Sequence, residues 1–222
     1  MKLLLHEMRH SPYCIPVRRV LEAYKISYTV NAIPAWDRRE LINLTDGTYY
    51  QVPVIETDGR IIYETPEDPL AVAHFLDSEY CEGTLFPADC AGLHELIIEH
   101  IENTLEGMGF KLSDPLFVEG IKDIGERYMV IRHKERSFGR GCVEEWKKHA
   151  AGLAEVLETA LAPYETRLGT VPYLFGDAPV YADYALFGVV ENAEFGGAYE
   201  LDSSLANLKL WQSELANYIV DR

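Results

Sequence analysis

The stretch HSPYCIPVRRVLEAY, residues 10–24, places a hydroxyl and a thiol near the start of a predicted helix. The hydroxyl of Ser11 can donate a hydrogen bond to an anion, and a helix N-terminus adds unpaired backbone N–H groups. The thiol of Cys14 can act as a nucleophile once it is ionised. Two plainer roles stay open, because Ser11 can be the N-cap of the helix and Cys14 a buried, unreactive side chain.

Pro16 bears on the position of Ser11. If Ser11 caps the helix, Pro16 falls in the second turn, where a proline removes a backbone hydrogen bond and costs about 3 kcal/mol. The sequence therefore predicts that the helix begins later than Ser11 or that its first turn is distorted. A distorted first turn would displace the Ser11 hydroxyl.

A second helix start is predicted in TPEDPLAVAHFLDS, residues 65–78. We expect Thr65 to be the N-cap, Pro66 the first helical residue and Asp68 the acid of a capping-box-like pattern. The N-terminus of such a helix would be a binding site for a carboxylate, because its N–H groups and dipole favour negative charge.

The composition favours a globular protein that does not bind polyanions. The chain has 222 residues, is 48% hydrophobic and carries 20 basic against 36 acidic residues, a formal charge of -16. This charge repels phosphate backbones and anionic lipids, so we expect no nucleic-acid and no membrane partner. The apolar run at the N-terminus is too short for a signal peptide, and no stretch approaches the roughly 20 apolar residues of a membrane span.

The four cysteines are widely spaced, without CxxC or CxxH pairs. We therefore expect no disulfide framework and no metal site. A reducing compartment, the cytoplasm, is the predicted location.

The first third of the chain has the pattern of a β-α-β unit. Strands are predicted at Leu3–Leu5 and Ile26–Val30, on either side of the first helix, and a short helix at Arg38–Asn43. Asp58-Gly59 separates two apolar runs and predicts a hairpin turn. The sequence thus predicts a small α/β domain at the start of the chain.

Strand-like patterns end near residues 80–90, where we place a linker between an α/β domain, 1–79, and an all-helical domain, 91–222. Apolar residues at helical spacing predict one long helix from Trp146 to Leu168, with Pro163 late in the pattern. Further helices are predicted around 93–110, 184–192 and 205–220.

Four landmarks occur in order along the chain: SPYCIPVRRVL after the first strand, QVPVI at 51–55, YET at 63–65 and GDAPVYADYAL at 176–186. On these landmarks the chain resembles the cytosolic glutathione transferases over nearly its whole length. The resemblance implies a thioredoxin-like N-terminal domain, an all-helical C-terminal domain and a homodimer with a glutathione site in each subunit. It also implies a function, the activation of the glutathione thiol for attack on a small electrophilic second substrate.

The same resemblance assigns one wall of the glutathione site. Pro53 would be cis, which turns the main chain of Val52 toward the cysteinyl unit of glutathione. Gln51 would contact the glycine end of the peptide. The alternative is a trans Pro53 that ends an edge strand.

The resemblance also assigns the charged and reactive positions. Glu64 would bind the γ-glutamyl ammonium, and Thr65 with the helix N-terminus would bind the γ-glutamyl carboxylate; a solvated Glu64 at a strand end is the alternative. Ser11 would donate a hydrogen bond to the glutathione thiolate. Lowering the pKa of a thiol by two units requires about 2.7 kcal/mol of preferential stabilisation of the anion.

Two segments depart from the family pattern. LTDGTYY replaces the usual approach to the QVPVI strand, so the basic contact to the glycyl carboxylate is unassigned. Trp36 and Arg38 are candidates, but a packed tryptophan and an exposed arginine are the favoured interpretations. Val180 stands where the family has a hydroxyl residue three positions before Asp183. We therefore expect Asp183 to be a folding residue with only half of a capping box.

The second substrate would lie between the domains, where the sequence offers Met108, Phe110 and Phe117 as lining or as ordinary core. Two other functions stay open. One is a non-catalytic protein that binds glutathione or other ligands on the same fold, and the other is a monothiol oxidoreductase that uses Cys14.

Overall fold

The first third of the chain forms a four-stranded sheet in the computed structural model, which describes residues 3–220. The strands are β1 Leu3–Glu7, β2 Tyr28–Ala32, β3 Val54–Thr57 and β4 Arg60–Ile62. Their order in the sheet is β2-β1-β3-β4; β1 is parallel to β2 and antiparallel to β3, and β3 is antiparallel to β4. This mixed sheet with a β-α-β entry is the thioredoxin-like arrangement that the sequence predicts.

Three helices accompany the sheet: α1 Cys14–Ala23, α2 Arg39–Leu44 and α3 Ala71–Tyr80. The N-cap position of α1 is Tyr13, so the alternative of Ser11 as the N-cap is wrong. Pro16 explains the later start, because it has no N–H to donate to the carbonyl of Pro12. Pro16 is then the third residue of α1, where a missing N–H breaks no helical bond.

The sequence predicted the turn between β3 and β4 correctly, but it placed the start of β2 too early. Asp58 and Gly59 have φ values of 46° and 76°, the left-handed conformation of a two-residue hairpin turn, so the predicted hairpin is confirmed. The strand β2 begins two residues after the predicted start. Ile26 instead closes α1, because its N–H donates to the Leu21 carbonyl at 2.8 Å while Lys25 has a φ of 53°.

The helix α3 begins at Ala71, so the prediction that it starts at Thr65 with Pro66 as its first residue is wrong. Residues 65–68 form a separate turn: the Thr65 N–H donates to the Asp68 carbonyl at 3.0 Å, and the Asp68 N–H donates to Thr65 Oγ1 at 3.1 Å. Pro69 delays the helix, because a proline lacks an N–H and disfavours the helical conformation of the residue before it. The unpaired N–H groups of α3 therefore lie beyond Thr65.

The rest of the chain is helical, as predicted. Its helices are α4 Ala91–His100, α5 Glu106–Gly120, α6 Ile124–Phe138, α7 Cys142–Lys148, α8 Ala150–Leu168, α9 Tyr181–Ala193 and α10 Ala206–Asn217, and a π-helical turn, Ile101–Leu105, joins α4 to α5. The sequence does not predict α6. The single long helix predicted from Trp146 to Leu168 is wrong, because the chain breaks at His149 into α7 and α8; Pro163 lies within α8.

The helices α1 and α9 pack against each other at unusually short range. A Cβ atom on Gly188 would lie 2.3 Å from the Pro12 carbonyl oxygen and 2.7 Å from the ring of Pro16, so only glycine permits this approach. The Asn192 side-chain amide donates to the His10 carbonyl at 2.6 Å. The helical part thus holds the turn between β1 and α1 in place.

Asp183 is a folding residue, as the sequence predicts. Its side chain is fully buried and accepts hydrogen bonds from the N–H groups of Leu174 and Val180 and from the indole of Trp211, at 2.9–3.1 Å. Burial raises the pKa of Asp183 to about 6. Val180 has no side-chain acceptor, so the reciprocal half of the capping box is missing.

The division into domains 1–79 and 91–222 stays a prediction. The helix α3 ends at Tyr80 and α4 begins at Ala91, while one cluster of buried apolar side chains runs through both parts. No helix within residues 3–220 is both long and apolar enough to cross a membrane.

Candidate functional site

A cleft with a volume of about 540 Å³ lies where the sheet and the helical part meet. One wall comes from three segments of the sheet part, within residues 8–13, 35–38 and 50–52. The other wall comes from α5 and α6, with Asn192 of α9 beside them. Because β1 and β2 are parallel, the segments that follow them meet at one edge of the sheet and form a continuous wall.

The cleft brings together three of the predicted site residues, Ser11, Gln51 and Val52. Glu64 and Thr65 are not among its lining residues and lie on the chain that follows β4. The predicted site is therefore divided between the cleft and a neighbouring half-buried region.

Ser11 lines the cleft and is buried, with 4% of the residue exposed. Its hydroxyl oxygen accepts a hydrogen bond from the Tyr13 N–H at 3.3 Å. Its carbonyl accepts from the N–H groups of Cys14 and Ile15 at 3.1 Å and 3.0 Å, which begins the first turn of α1. The hydroxyl also has a hydrogen bond with the Cys14 side chain, so donation to an anion in the cleft would replace that contact.

Cys14 is fully buried and packs against Ile33, Leu41, Val52 and Val54. Burial raises the pKa of the Cys14 thiol to about 12, although a hydrogen bond with the Ser11 side chain acts in the opposite direction. The thiolate form is therefore scarce at neutral pH. Cys14 fits the role of a packed side chain better than that of a nucleophile.

The bond between Val52 and Pro53 is cis, as the family resemblance implies. Val52 is 5% exposed and lines the cleft, and Gln51 is exposed beside it. Pro53 directly precedes β3, so the sheet fixes the position of this turn. Val52 is therefore part of the cleft lining although little of it is exposed.

Glu64 is a half-buried carboxyl group with one described hydrogen bond, from the Tyr49 hydroxyl at 3.1 Å. No basic side chain within residues 3–220 forms an ion pair with it. Burial raises the pKa of Glu64 to about 7, and the charge of Asp68 acts in the same direction. A cationic ligand group would reverse this shift, so Glu64 is suited to bind an ammonium.

The atypical segment LTDGTYY supplies the partner of Glu64. The rings of Tyr49 and Tyr63 stack with their centres 5.1 Å apart, and Thr48 and Tyr63 share a hydrogen bond of 2.9 Å between their hydroxyls. These contacts aim the Tyr49 hydroxyl at Glu64. The segment that departs from the family pattern therefore contributes a hydrogen-bond donor to Glu64.

Two acidic residues that the sequence analysis missed, Glu102 and Glu106, lie near Tyr13. Glu102 belongs to the π-helical turn, a feature that occurs often at functional sites. Burial and the charges of Glu64 and Glu106 raise the pKa of Glu102 to about 8. Burial raises the pKa of Glu106 to about 7. No local signal links these residues to Glu64, because their proximity comes from packing between distant segments.

The cleft also has four basic residues in its lining, Arg38 of one wall and His133, Lys134 and Arg136 of the α6 wall. The ammonium of Lys134 lies 2.5 Å from a carboxylate oxygen of the buried Asp114. Nη1 of Arg38 is buried without a hydrogen-bond partner among the described residues. The sequence analysis missed the three basic residues of α6 because it did not predict that helix.

His10 forms an aromatic contact in the cleft, with its ring 3.9 Å from that of Phe117 and 5.2 Å from that of Phe195. Burial lowers the pKa of His10 to about 4, and the charges of Lys134 and Arg38 act in the same direction. His10 is thus neutral at physiological pH and offers an apolar face.

The aromatic residues expected near a second substrate divide between the cleft and the core. Phe110 and Phe117 line the cleft, whereas Met108 packs against the main apolar core. Within residues 3–220, no group of His, Cys, Asp and Glu side chains could hold a metal ion. The cleft therefore combines polar, apolar and basic lining residues, and the acidic groups Glu64 and Glu102 lie outside its lining.

Two family models match the chain. Glutathione S-transferase, N-terminal domain, matches residues 5–82, and Glutathione S-transferase, C-terminal domain, matches residues 144–211. No curated protein matches the sequence.

Solved structures share the fold at low sequence identity. A glutathione transferase from Phanerochaete chrysosporium is 16% identical with a TM-score of 0.78, covering 100% of this chain and 99% of that one. A glutathione S-transferase from Ceriporiopsis subvermispora, solved with glutathione, is 18% identical with a TM-score of 0.76 and 99% coverage of both chains. Glutaredoxin 2 from Salmonella typhimurium, also solved with glutathione, is 18% identical with a TM-score of 0.72, covering 97% of this chain and 94% of that one. With the two family models together matching more than half of the chain and this fold throughout, the chain belongs to the glutathione S-transferase family.

Proposed function

We propose that the protein is a glutathione transferase that activates the glutathione thiol for attack on a small electrophile. The observation that carries the proposal is the pairing, in one cleft wall, of the Ser11 hydroxyl with the main chain at the cis Val52–Pro53 bond. Solved members of this fold hold glutathione, and the chemistry of the residues here fits that peptide.

The binding part of the proposal follows the charges of glutathione. Val52 pairs main chain to main chain with the cysteinyl unit. Glu64 binds the γ-glutamyl ammonium, which supplies the cation that this carboxylate lacks. The Thr65 hydroxyl donates to the γ-glutamyl carboxylate, since it accepts from Asp68 and keeps its proton free. The start of α3 is too far along the chain to assist Thr65.

The glycine end of glutathione takes the basic side of the cleft. Arg38 has an unsatisfied guanidinium nitrogen beside Gln51 in the same lining. We assign Arg38 and Gln51 to the glycyl carboxylate, because a charge-assisted hydrogen bond would satisfy the guanidinium. This assignment supplies the basic contact that the sequence left open.

The catalytic part of the proposal gives Ser11 the role of donor to the glutathione sulfur. The thiolate carries its charge at the start of α1, where the first N–H groups of the helix add positive potential. Donation from Ser11 favours the thiolate and lowers the thiol pKa. A homodimer and a cytoplasmic location, both implied by the family, complete the proposal.

A Ser11→Ala variant tests the catalytic role. We expect about a 10- to 100-fold lower turnover at saturating glutathione, with glutathione affinity little changed, because the variant loses one charge-assisted hydrogen bond. The absorbance of the bound thiolate near 240 nm, followed against pH, gives the thiol pKa, which we expect to rise. Ser78→Ala on the exposed face of α3 is the matched control.

Two results would count against this role. Unchanged turnover in Ser11→Ala would remove Ser11 from the mechanism. Tight glutathione binding without turnover of any electrophile by the native protein would favour the non-catalytic binding protein instead.

A further inference from the structure

The cleft concentrates positive charge in a strongly acidic protein. The chain carries 36 acidic and 20 basic residues, yet Arg38, Lys134 and Arg136 all line this one cavity. The acidic residues of the lining are Glu106 and Asp114. A surplus of basic side chains at this place therefore runs against the composition of the whole chain.

Lys134 is fixed in position rather than free in solvent. Its side chain is 23% exposed, its ammonium lies 2.5 Å from the carboxylate of Asp114, and it sits 4.4 Å from the ring centre of Phe110. Asp114 itself is buried, with 4% of its side chain exposed. The ion pair between α5 and α6 thus presents the ammonium to the cleft at a defined place.

The remaining two cations have no described acidic partner. Neither Arg38 nor Arg136 forms an ion pair within residues 3–220, and one Arg38 nitrogen is buried without a hydrogen bond. The glycyl carboxylate of glutathione accounts for Arg38 in the proposed function. It leaves Arg136 on α6 without an anion, beside the ammonium of Lys134, which is paired with Asp114.

The positive charge of the lining also lowers the pKa values of two histidines there. The pKa of His10 is lowered by burial and by the charges of Lys134 and Arg38. The pKa of His133 is lowered by burial and by the charges of Lys134, Arg136 and Arg38, against a smaller opposite effect of Asp114. Protonation of these two imidazoles is therefore unfavourable, and binding of an anion is favoured for the same electrostatic reason.

An apolar surface adjoins these cations. The stacked rings of His10 and Phe117 lie in the same lining, next to Ser11, where the sulfur of glutathione is proposed to sit. A planar or unsaturated group placed on this surface would be within reach of the sulfur.

We propose that the second substrate is an electrophile that carries a carboxylate or a similar anionic group, bound by Lys134 and Arg136 while its apolar part packs on His10 and Phe117. This inference rests on the proposed function, because it concerns the acceptor in the same reaction. It narrows that function from small electrophiles in general to anionic ones.

A matched pair of probes tests the charge requirement: 4-chloro-3-nitrobenzoate and its neutral methyl ester. In both, the glutathione sulfur forms a bond to the ring carbon that bears chlorine, the ring electron pair moves onto the nitro group, and chloride then leaves with the C–Cl electron pair. The thiol proton passes to solvent. The two reactions differ only in the charged group, so dividing each kcat/KM by its uncatalysed rate isolates recognition by the protein.

We expect the normalised kcat/KM to favour the carboxylate by about tenfold, the range of one or two charge-assisted hydrogen bonds. The Arg136→Met variant, which changes an exposed side chain, should lower this preference severalfold. The Lys134→Met/Asp114→Asn double variant should nearly abolish it without leaving a buried charge unpaired. Lys134→Arg should keep most of it, and Lys148→Met on the exposed face of α7 should change nothing.

The KM for glutathione separates the two claims. Retained glutathione binding with equal use of acid and ester, or an unchanged preference in both α6 variants, overturns the anionic-substrate inference alone. Absence of glutathione binding by the native protein overturns the proposed function and this inference with it. Where turnover is slow, calorimetric titration with the two glutathione conjugates gives the same comparison, and equal affinities for them contradict the inference.

Discussion

The two ends of the site differ in the sign of their charge. At one end, Glu64, Glu102 and Glu106 lie near Tyr13, and burial raises the pKa of each carboxyl group to about 7 or 8; Glu106 also lies near Lys134, whose charge acts against this shift. At the other end, Lys134 and Arg38 help to lower the pKa values of the neighbouring histidines. The first end resists a further negative charge and the second resists a further positive one.

This difference in charge favours one orientation of a bound peptide whose two ends carry different charges. Glutathione carries an ammonium only at its γ-glutamyl end, so that end matches the acidic region. Its glycyl end carries only a carboxylate and matches the basic region. Between them, Ser11 and Val52 lie at the level of the thiol in the proposed complex. The difference in charge therefore orients the ligand, and the hydrogen bonds at the centre align its reactive sulfur.

Removing the charge of Glu64 at the acidic end should weaken glutathione binding more than the other changes described below. We expect Glu64→Gln to raise the Kd for glutathione about 10- to 100-fold, because one charge-assisted hydrogen bond to an ammonium is lost. Calorimetric titration measures the change. Glu67→Gln, an exposed acid of the same loop, is the control and should bind like the native protein. Equal affinities for both variants would show that the acidic end does not select the ligand.

The raised pKa of Glu64 predicts a pH dependence of binding. Below a pKa of about 7 the group becomes protonated and neutral, so affinity for glutathione should fall about tenfold from pH 7.0 to about pH 5.5. The groups that face Glu64 and act on this titration are Tyr13, Tyr49, Asp68, Glu102 and Tyr181. Repeating the titration with Glu64→Gln should give a much shallower profile; an unchanged profile would assign it to another group.

The basic end should contribute less, because Gln51 shares the glycyl carboxylate with Arg38 in the proposed complex. We expect Arg38→Met to raise the Kd for glutathione about fivefold, in the range of a partly screened ion pair. Arg39→Met, the exposed neighbour paired with Asp37, should have no effect. The glycine ethyl ester of glutathione lacks the glycyl carboxylate and should bind the native protein and Arg38→Met alike. A difference between these two would place Arg38 away from the glycine end.

The smallest expected effect is on the free energy of unfolding of the ligand-free protein. The folded protein holds protons on Glu64 and Glu102 at pH values where the unfolded chain has lost them. The free energy of unfolding should therefore fall as pH rises from about 6.5 to 8. The lowered pKa values of His10 and His94 act only below about pH 6.5, so they do not oppose this trend. Urea unfolding at several pH values measures this trend. The free energy of unfolding should fall less steeply with pH in Glu102→Gln than in the native protein, and an equal fall would contradict the assignment.

Local patterns predicted the parts of the fold that local interactions determine. The Asp58-Gly59 hairpin depends on the left-handed conformation of two adjacent residues, and the pattern identified it. The start of α3 was missed although Pro69 is visible in the sequence, because Thr65 and Pro66 alone have the form of a helix N-terminus. A second proline within one turn was the signal that the helix begins later.

The site was predictable only where family landmarks cover it. Ser11, Gln51 and Val52 do share one cleft, and the cis peptide was implied by the landmark that contains Pro53. Glu102 and Lys134 could not be found in this way. Lys134 lines the cleft and Glu102 lies near Tyr13 because distant segments of the chain pack together, a long-range arrangement that no short pattern encodes.

The most direct test of the polarised site is a calorimetric titration of the native protein at neutral pH with glutathione and with deaminoglutathione. The two ligands differ only in the γ-glutamyl ammonium. We predict saturable binding of glutathione and at least about tenfold weaker binding of the deamino analogue, the effect of one charge-assisted contact. Equal affinities for the two would contradict the role of the acidic end, and no binding of either would contradict the proposed function.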